Sequence, residues 1–254
     1  MQVSRKIWNE YIRALSRFDK RAGDAMRRWI EEHGTDDLKA MTEYAYRLAT
    51  VYGEGAAALA AEMYDAVGAM EGVELPPAEV APTATYQDTA NAIYGVAKVS
   101  LSAGMFAGAV SRLVKMAGAD TTLRNAIRDK AEFAWIPSGD TCAFCIDIAA
   151  EGWKQATANA MRGGHAEHIH GNCDCEYAIR HEKSTRYPGY NPQRYQDMVE
   201  DAPLDGEAPT AQNRINAMRR EFYAENRERI NAQKRDAYAK RQELDASSAE
   251  EKDV

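Results

Sequence analysis

From Val3 to Met70 the apolar residues recur at alternating steps of three and four, which confines this part of the chain to long amphipathic helices. Tyr11, Leu15, Phe18, Ala22, Ala25 and Trp29 form one stripe, widened by Met26 and Ile30, and charged residues fill most of the other faces. Gly34 offers a helix stop and Thr35 or Asp36 a fresh N-cap, so the pattern predicts a helical hairpin. The second helix carries Leu38, Met41, Ala45, Leu48, Tyr52, Leu59, Met63, Val67 and Met70 and extends to about Glu71. Gly53 and Gly55 within it read as close-packing positions in preference to a hinge.

The prolines between Leu75 and Pro82 break this pattern, because no single helix can run through them. Thr83 to Thr85 can cap a third helix from about Tyr86 to Met116, rich in Ala, Gly, Ser and Val. Gly104 and Gly108 make a small-x-x-x-small step there, of the kind that lets two helix backbones approach. A fourth helix is expected after Gly118-Ala-Asp120, carrying Leu123, Ile127, Ala131 and Ala134. Glu176 to Ile179 reads as a short strand whose partner is Phe133 to Ile136, with Pro137 to Gly139 as the turn presenting Cys142.

Turn signals dominate from Glu182 to Pro209. A last helix, from about Thr210 to Leu244, has few apolar residues and is basic from Arg214 to Arg241. That face either contacts DNA or an acidic partner or pairs its charges internally. Ser247 to Val254 is acidic and is expected to be disordered.

The fold class is therefore mainly α. A helical hairpin or bundle occupies 1–130, with the Pro-rich break near 75–82. A small zinc-stapled α+β module follows at 131–182, and 183–254 hold an extended linker, the charged helix and the acidic tail.

All four cysteines lie between Cys142 and Cys175, together with His165, His168 and His170. Cys142 and Cys145 are spaced so that both sulfurs can face one ion, and His168, His170, Cys173 and Cys175 supply the remaining donors. The metal candidates are Cys142, Cys145, His170, Cys173 and Cys175, and the cofactor is Zn2+. A four-cysteine site leaves His170 beside the ion, whereas a three-cysteine, one-histidine site leaves one thiol spare. Disulfides or buried thiols are the non-metal alternative. His33, His165 and His181 read as ordinary surface histidines.

His165-Ala-Glu167 follows the Cys142 pair, the reverse of the order in zinc deaminases, and Pro137 is not adjacent to that pair, so deaminase chemistry is set aside. No catalytic residue is assigned. Two alternatives remain: a metal-dependent nuclease or toxin-like enzyme in the C-terminal half, and a zinc-knuckle protein that holds nucleic acid through the basic helix.

A net charge of -7 and a pI near 5.4 argue against a surface that wraps nucleic acid as a whole; any such contact must come from a patch. The N-terminus from Met1 to Trp8 lacks the apolar core and cleavage site of an export signal, so a reducing cytoplasm is the expected place of synthesis. No membrane contact is expected either. The longest apolar candidate, Val96 to Val114, is interrupted by Lys98 and Arg112 and falls short of the ~18 uninterrupted residues of a span.

The run from Trp135 through Cys142 and Cys145, with Gly152 and then His170-Gly-Asn-Cys173-Asp-Cys175, resembles the minor head proteins of tailed bacteriophages of the MuF type. Members of that family end a C-terminal module in a His-Pro-Asn-Cys-x-Cys-like sequence, and many add an upstream Cys-x-x-Cys. Gly171 stands here in place of the proline. The resemblance is closest from Phe133 to Tyr177 and does not reach beyond Glu182. It implies a low-copy virion protein of the phage head, made in the bacterial host cytoplasm, whose partners are portal and capsid proteins and whose role lies in head morphogenesis or soon after DNA ejection.

Overall fold

The structure, a computed structural model, describes residues 1–138, 141–159 and 175–250. It divides into two compact units, Met1–Gln196 and Asp197–Val254. Among the described residues, no helix is long and apolar enough to cross a membrane.

The first unit is built on a helical hairpin, α1 (Arg5–His33) and α2 (Leu38–Glu71). Gly34 ends α1 at a φ of 76°, a conformation that favours glycine, and its N–H donates to the Ile30 carbonyl. The new cap is Asp37, one residue beyond the expected Thr35 or Asp36; its carboxylate accepts from the Ala40 N–H at 2.9 Å. Gly53 and Gly55 are packing positions, as their spacing suggests. A Cβ at Gly55 would lie 2.6 Å from Phe18 Cε1, and one at Gly53 would lie 3.0 Å from Thr83 Cγ2.

After α2 the chain crosses residues 75–82 in extended form, and side chains of the neighbouring helices tie this strap down. Asn125 accepts from the Glu79 N–H at 2.9 Å and donates to the Glu79 carbonyl at 2.8 Å. Thr121 Oγ1 accepts from the Ala81 N–H, and the Arg128 guanidinium donates to the Pro76 and Pro77 carbonyls. Thr85 and Asp88 then form a reciprocal capping box for α3 (Tyr86–Ala97).

The helix expected over 86–116 is two. Chain from Lys98 to Ser102 separates α3 from α4 (Ala103–Arg128), with the Ser102 N–H donating to Ser100 Oγ. Conversely, α4 runs unbroken through Gly118 to Asp120, where a new helix start was expected. Gly118 is there for contact: a Cβ would lie 3.4 Å from the Ala56 carbonyl oxygen and 3.5 Å from Leu15 Cδ2. The close approach of α1 to α4 is made by Gly23, where a Cβ would meet Ser111 Oγ at 2.5 Å. Gly104 and Gly108 do not serve this purpose, since a Cβ at Gly108 would meet nothing and one at Gly104 only Ser102.

From Phe106 to Ala126, α4 is buried on most of its sides against α1 and α2, which makes it the axis of the unit. It ends at Arg128. Ala131 and Ala134, expected on a helix, lie at the entry to β1 (Glu132–Ile136) and within it. β1 is the central strand of a three-stranded antiparallel sheet, flanked by β2 (Lys154–Gln155) and β3 (Glu176–Arg180). The β1–β3 pairing is the expected one, in the register Phe133↔Ile179, Trp135↔Tyr177 and Ile136↔Glu176. Consecutive residues of both strands are buried, so both faces are covered, and α4 and α2 supply part of that cover. Two further elements are α5 (Ala143–Ala150), within the cysteine run, and α6 (Pro192–Glu200), which opens on a proline where turn signals prevail.

The second unit contains α7 (Ala211–Glu250), longer than the expected helix and continuing through Ser247 to Glu250, where disorder was expected. Residues 251–254 of the acidic tail lie outside the described residues.

Candidate functional site

Three of the four cysteines, Cys142, Cys145 and Cys175, lie among the described residues. Cys142 is the N-cap of α5, and Cys145 lies one turn further on the same face, so the helix holds the two thiols as neighbours. Cys175 immediately precedes β3. Because Ile136 pairs with Glu176, it sits at the end of the sheet from which the chain leaves β1 toward Cys142. Cys145 and Cys175 are each 1% exposed, and Cys142 is half-buried; all three are thiols. His165, His168, His170 and Cys173 lie outside the described residues. Among the described residues, no three His, Cys, Asp or Glu side chains form a group able to hold a metal.

Trp135 and Tyr177 face each other across β1 and β3 with ring centroids 4.7 Å apart, and Trp135 Nε1 and Tyr177 Oη are both buried without a hydrogen-bond partner. Burial raises the Tyr177 phenol far above its ordinary range, the nearby Glu176 and Asp120 carboxylates add to that, and Cys145 contributes as well.

Next to this pair lies a buried ion pair with no counterpart in the sequence reading. Lys115 Nζ is 3.3 Å from Glu176 Oε1, with the two side chains 3% and 6% exposed, and the ammonium lies 5.9 Å from the centroid of the Trp135 ring. Burial, followed by the Glu176 charge, also raises the Tyr11 phenol. The available signal was a lysine inside the Ala- and Gly-rich run of α4 and a glutamate inside an apolar strand.

Of the other histidines, His33 is exposed, stacked on Trp29 at 4.6 Å with Nδ1 against the Trp29 carbonyl. His181 is not a surface histidine. It is half-buried, packed edge-on against Tyr64 at 5.6 Å, and its Nε2 is buried without a partner. Its backbone N–H donates to Glu71 Oε2 at 2.9 Å. Beside it, Tyr64 donates to Asp129 Oδ2 at 2.9 Å, and Arg128 clamps the same carboxylate from 2.7 and 2.8 Å. Burial alone would raise the Asp129 carboxyl, but the hydrogen bonds from Arg128 and Tyr64 outweigh it and hold the group below the usual carboxylate range.

On α7, Ile215, Ala217 and Met218 are buried, whereas Arg219, Arg227, Arg229 and Arg235 are exposed. Arg220 pairs with Glu207 at 3.2 Å, and Arg229 donates to Asn226. Part of the basic charge is thus held within the unit.

A buried helical core carrying a small three-stranded sheet defines a mainly helical protein. A family model described as VG15 protein matches residues 2–202. The chain therefore belongs to the VG15 family, a phage viral-gene family, and is a phage protein. Comparison with curated proteins and with solved structures gives no match.

Proposed function

We propose that this chain is a minor capsid protein of the phage head of the MuF-like kind, a structural virion component associated with the portal and the head interior. In this reading a structural zinc ion holds its cysteine-rich end. The observation that carries the zinc is the placement of Cys142 and Cys145 one turn apart at the start of α5, the Cys-x-x-Cys half of a four-ligand site. Cys142 and Cys145 supply two ligands, and the other two come from among Cys175, Cys173 and His170. The buried Tyr177 hydroxyl, without a hydrogen-bond partner among the described residues, lies within electrostatic reach of Cys145, which supports a sulfur ligand there. The phage assignment rests on the family match over 2–202 and on the resemblance of the cysteine run to minor head proteins.

In such a protein the ion holds its ligands together and so fixes the surface built around them. The test is a census of purified phage particles by quantitative mass spectrometry. The expected result is this chain in a few copies per head, enriched with the portal after partial disassembly. Its complete absence from particles that package DNA normally would overturn the virion role.

A further inference from the structure

The chain between β3 and α6 forms a cavity of about 360 Å3. Trp153 forms one wall, with the Arg180 guanidinium over its ring at 4.4 Å and the Tyr187 and Tyr190 rings at 5.7 and 5.9 Å. Both phenols are already committed: Tyr187 donates to the Ile179 carbonyl at 2.7 Å and Tyr190 to the Ala149 carbonyl at 3.0 Å. Any ligand therefore meets these residues as rings, not as hydroxyls.

The charges are committed unequally. Arg180 is neutralised by Glu132 at 2.7 Å. Arg186, on the rim, pairs with no acidic side chain among the described residues; its Nη1 donates only to the Lys183 and Thr185 carbonyls. Its backbone is clamped on both sides, with Arg186 N–H donating to the Met1 carbonyl and the Val3 N–H donating to the Arg186 carbonyl, each at 2.9 Å. The guanidinium is thus a fixed, uncompensated cation. Around it the segment 180–194 adds Lys183 and Arg194 against Glu182, with Tyr187 and Tyr190 interleaved, while the Glu71 and Glu151 carboxylates act on Tyr187 and Tyr190 from neighbouring elements. The cavity is therefore an aromatic one whose rim carries a cation, Arg186, with no acidic partner among the described residues.

We propose that this cavity holds one nucleotide of a single-stranded nucleic acid, with its base against Trp153 and Tyr190 and its phosphate on Arg186. Stacking platforms beside a cationic rim are how single strands are held without sequence preference, because every base has a π-face. The volume is at the low end of small-molecule sites, roughly 300–1,000 Å3, which limits the occupant to one unit. An acidic peptide would satisfy Arg186 but leave the ring faces without a flat partner. This site is distinct from the cysteine cluster and from the basic helix α7.

The full chain is titrated against fluorescein-labelled ten-residue oligothymidylate by anisotropy over a series of salt concentrations. The expected result is salt-sensitive binding that Trp153→Leu weakens roughly five- to hundredfold. Arg186→Gln should lower the slope of log K against log salt by roughly 0.7, the loss of one phosphate contact on a single strand. Arg186 is exposed and its side chain donates only to local carbonyls, so this variant remains decisive if Trp153→Leu melts early. Absence of binding at low salt, binding by Arg186→Gln that matches the parent at every salt concentration, or equal capture of labelled oligoglutamate would each overturn the proposal.

Discussion

Lys115 and Glu176 show how a residue's meaning changes when its helix is surrounded. In the sequence Lys115 is one more charge on a helix, and a surface position is the default for such a residue. Its burial follows from α4 being enclosed on most sides, and Glu176 is carried to it by the pairing of β3 with β1. Two ions removed from water depend on each other: deleting one removes the charge that compensates the other, whereas replacing both with apolar groups costs little. Lys115→Met is therefore expected to destabilise the fold by about 3–5 kcal/mol, and Lys115→Met with Glu176→Leu by much less. Urea denaturation of the two variants and the parent measures this. A double variant as unstable as the single one would mean that the pair acts through something other than mutual charge compensation. The glycines carry a related lesson. Gly53 and Gly55 were legible as packing sites because large residues flank them in a regular stripe, but Gly104 and Gly108 have the same small-residue signature and touch almost nothing. Local composition shows that a close approach is possible, not which helix makes it.

At the scale of elements, periodicity located α1 and α2 to within a residue or two because each has a wet face and a dry one. It failed on α4 for the opposite reason: a helix dry on most of its sides has no contrast to read, so Gly118 looked like a boundary and the break near Ser100 went unseen. β2, two residues long, is too short to show alternation, and α6 was hidden among prolines and glycines although Pro192 is itself a good first residue of a helix. The Pro-rich strap was legible as a break but not as a fastened element. Asn125, 2% exposed on α4, satisfies both the N–H and the carbonyl of Glu79 and also donates to the Thr121 carbonyl. Asn125→Ala leaves these backbone groups without their partner and is expected to cost about 1–3 kcal/mol. The strap should also become the first site of cleavage in limited proteolysis. If cleavage instead begins elsewhere while stability falls, Asn125 supports α4 itself and the strap is held by Thr121 and Arg128.

Across the first unit, the cysteine-rich end and the helices share one core. A continuous cluster of buried residues runs from Val3 through Met26, Val110 and Phe133 to Cys145, Cys175 and Tyr187, and the N-terminal strand closes it by pairing Gln2 with Arg186. The spacing of the cysteines made the chemistry of 131–182 legible, but spacing says nothing about which apolar surface lies behind the thiols. That sharing decides how loss of the proposed zinc should be felt. An isolated zinc-dependent module would unfold by itself on chelation and leave the helices standing. Here Trp135 and Tyr177, beside the thiols, also belong to the core that α4 helps to cover, so the loss should spread through the unit. For a unit of this size, stability lost to chelation should lower the melting temperature by about 2–4 °C per kcal/mol. The protein, purified under reducing conditions without chelator, is melted with and without a strong zinc chelator, following helical and aromatic circular dichroism together. The expected outcome is one transition seen by both signals, displaced downward by chelation, with Cys145→Ser in the absence of chelator already displaced and insensitive to further treatment. Two separate transitions, with the aromatic signal lost first, would show that the cysteine-rich end folds independently of the helices. Unchanged melting in a preparation that contains no zinc would remove the metal from the reading and leave Cys145 and Cys175 as buried core thiols.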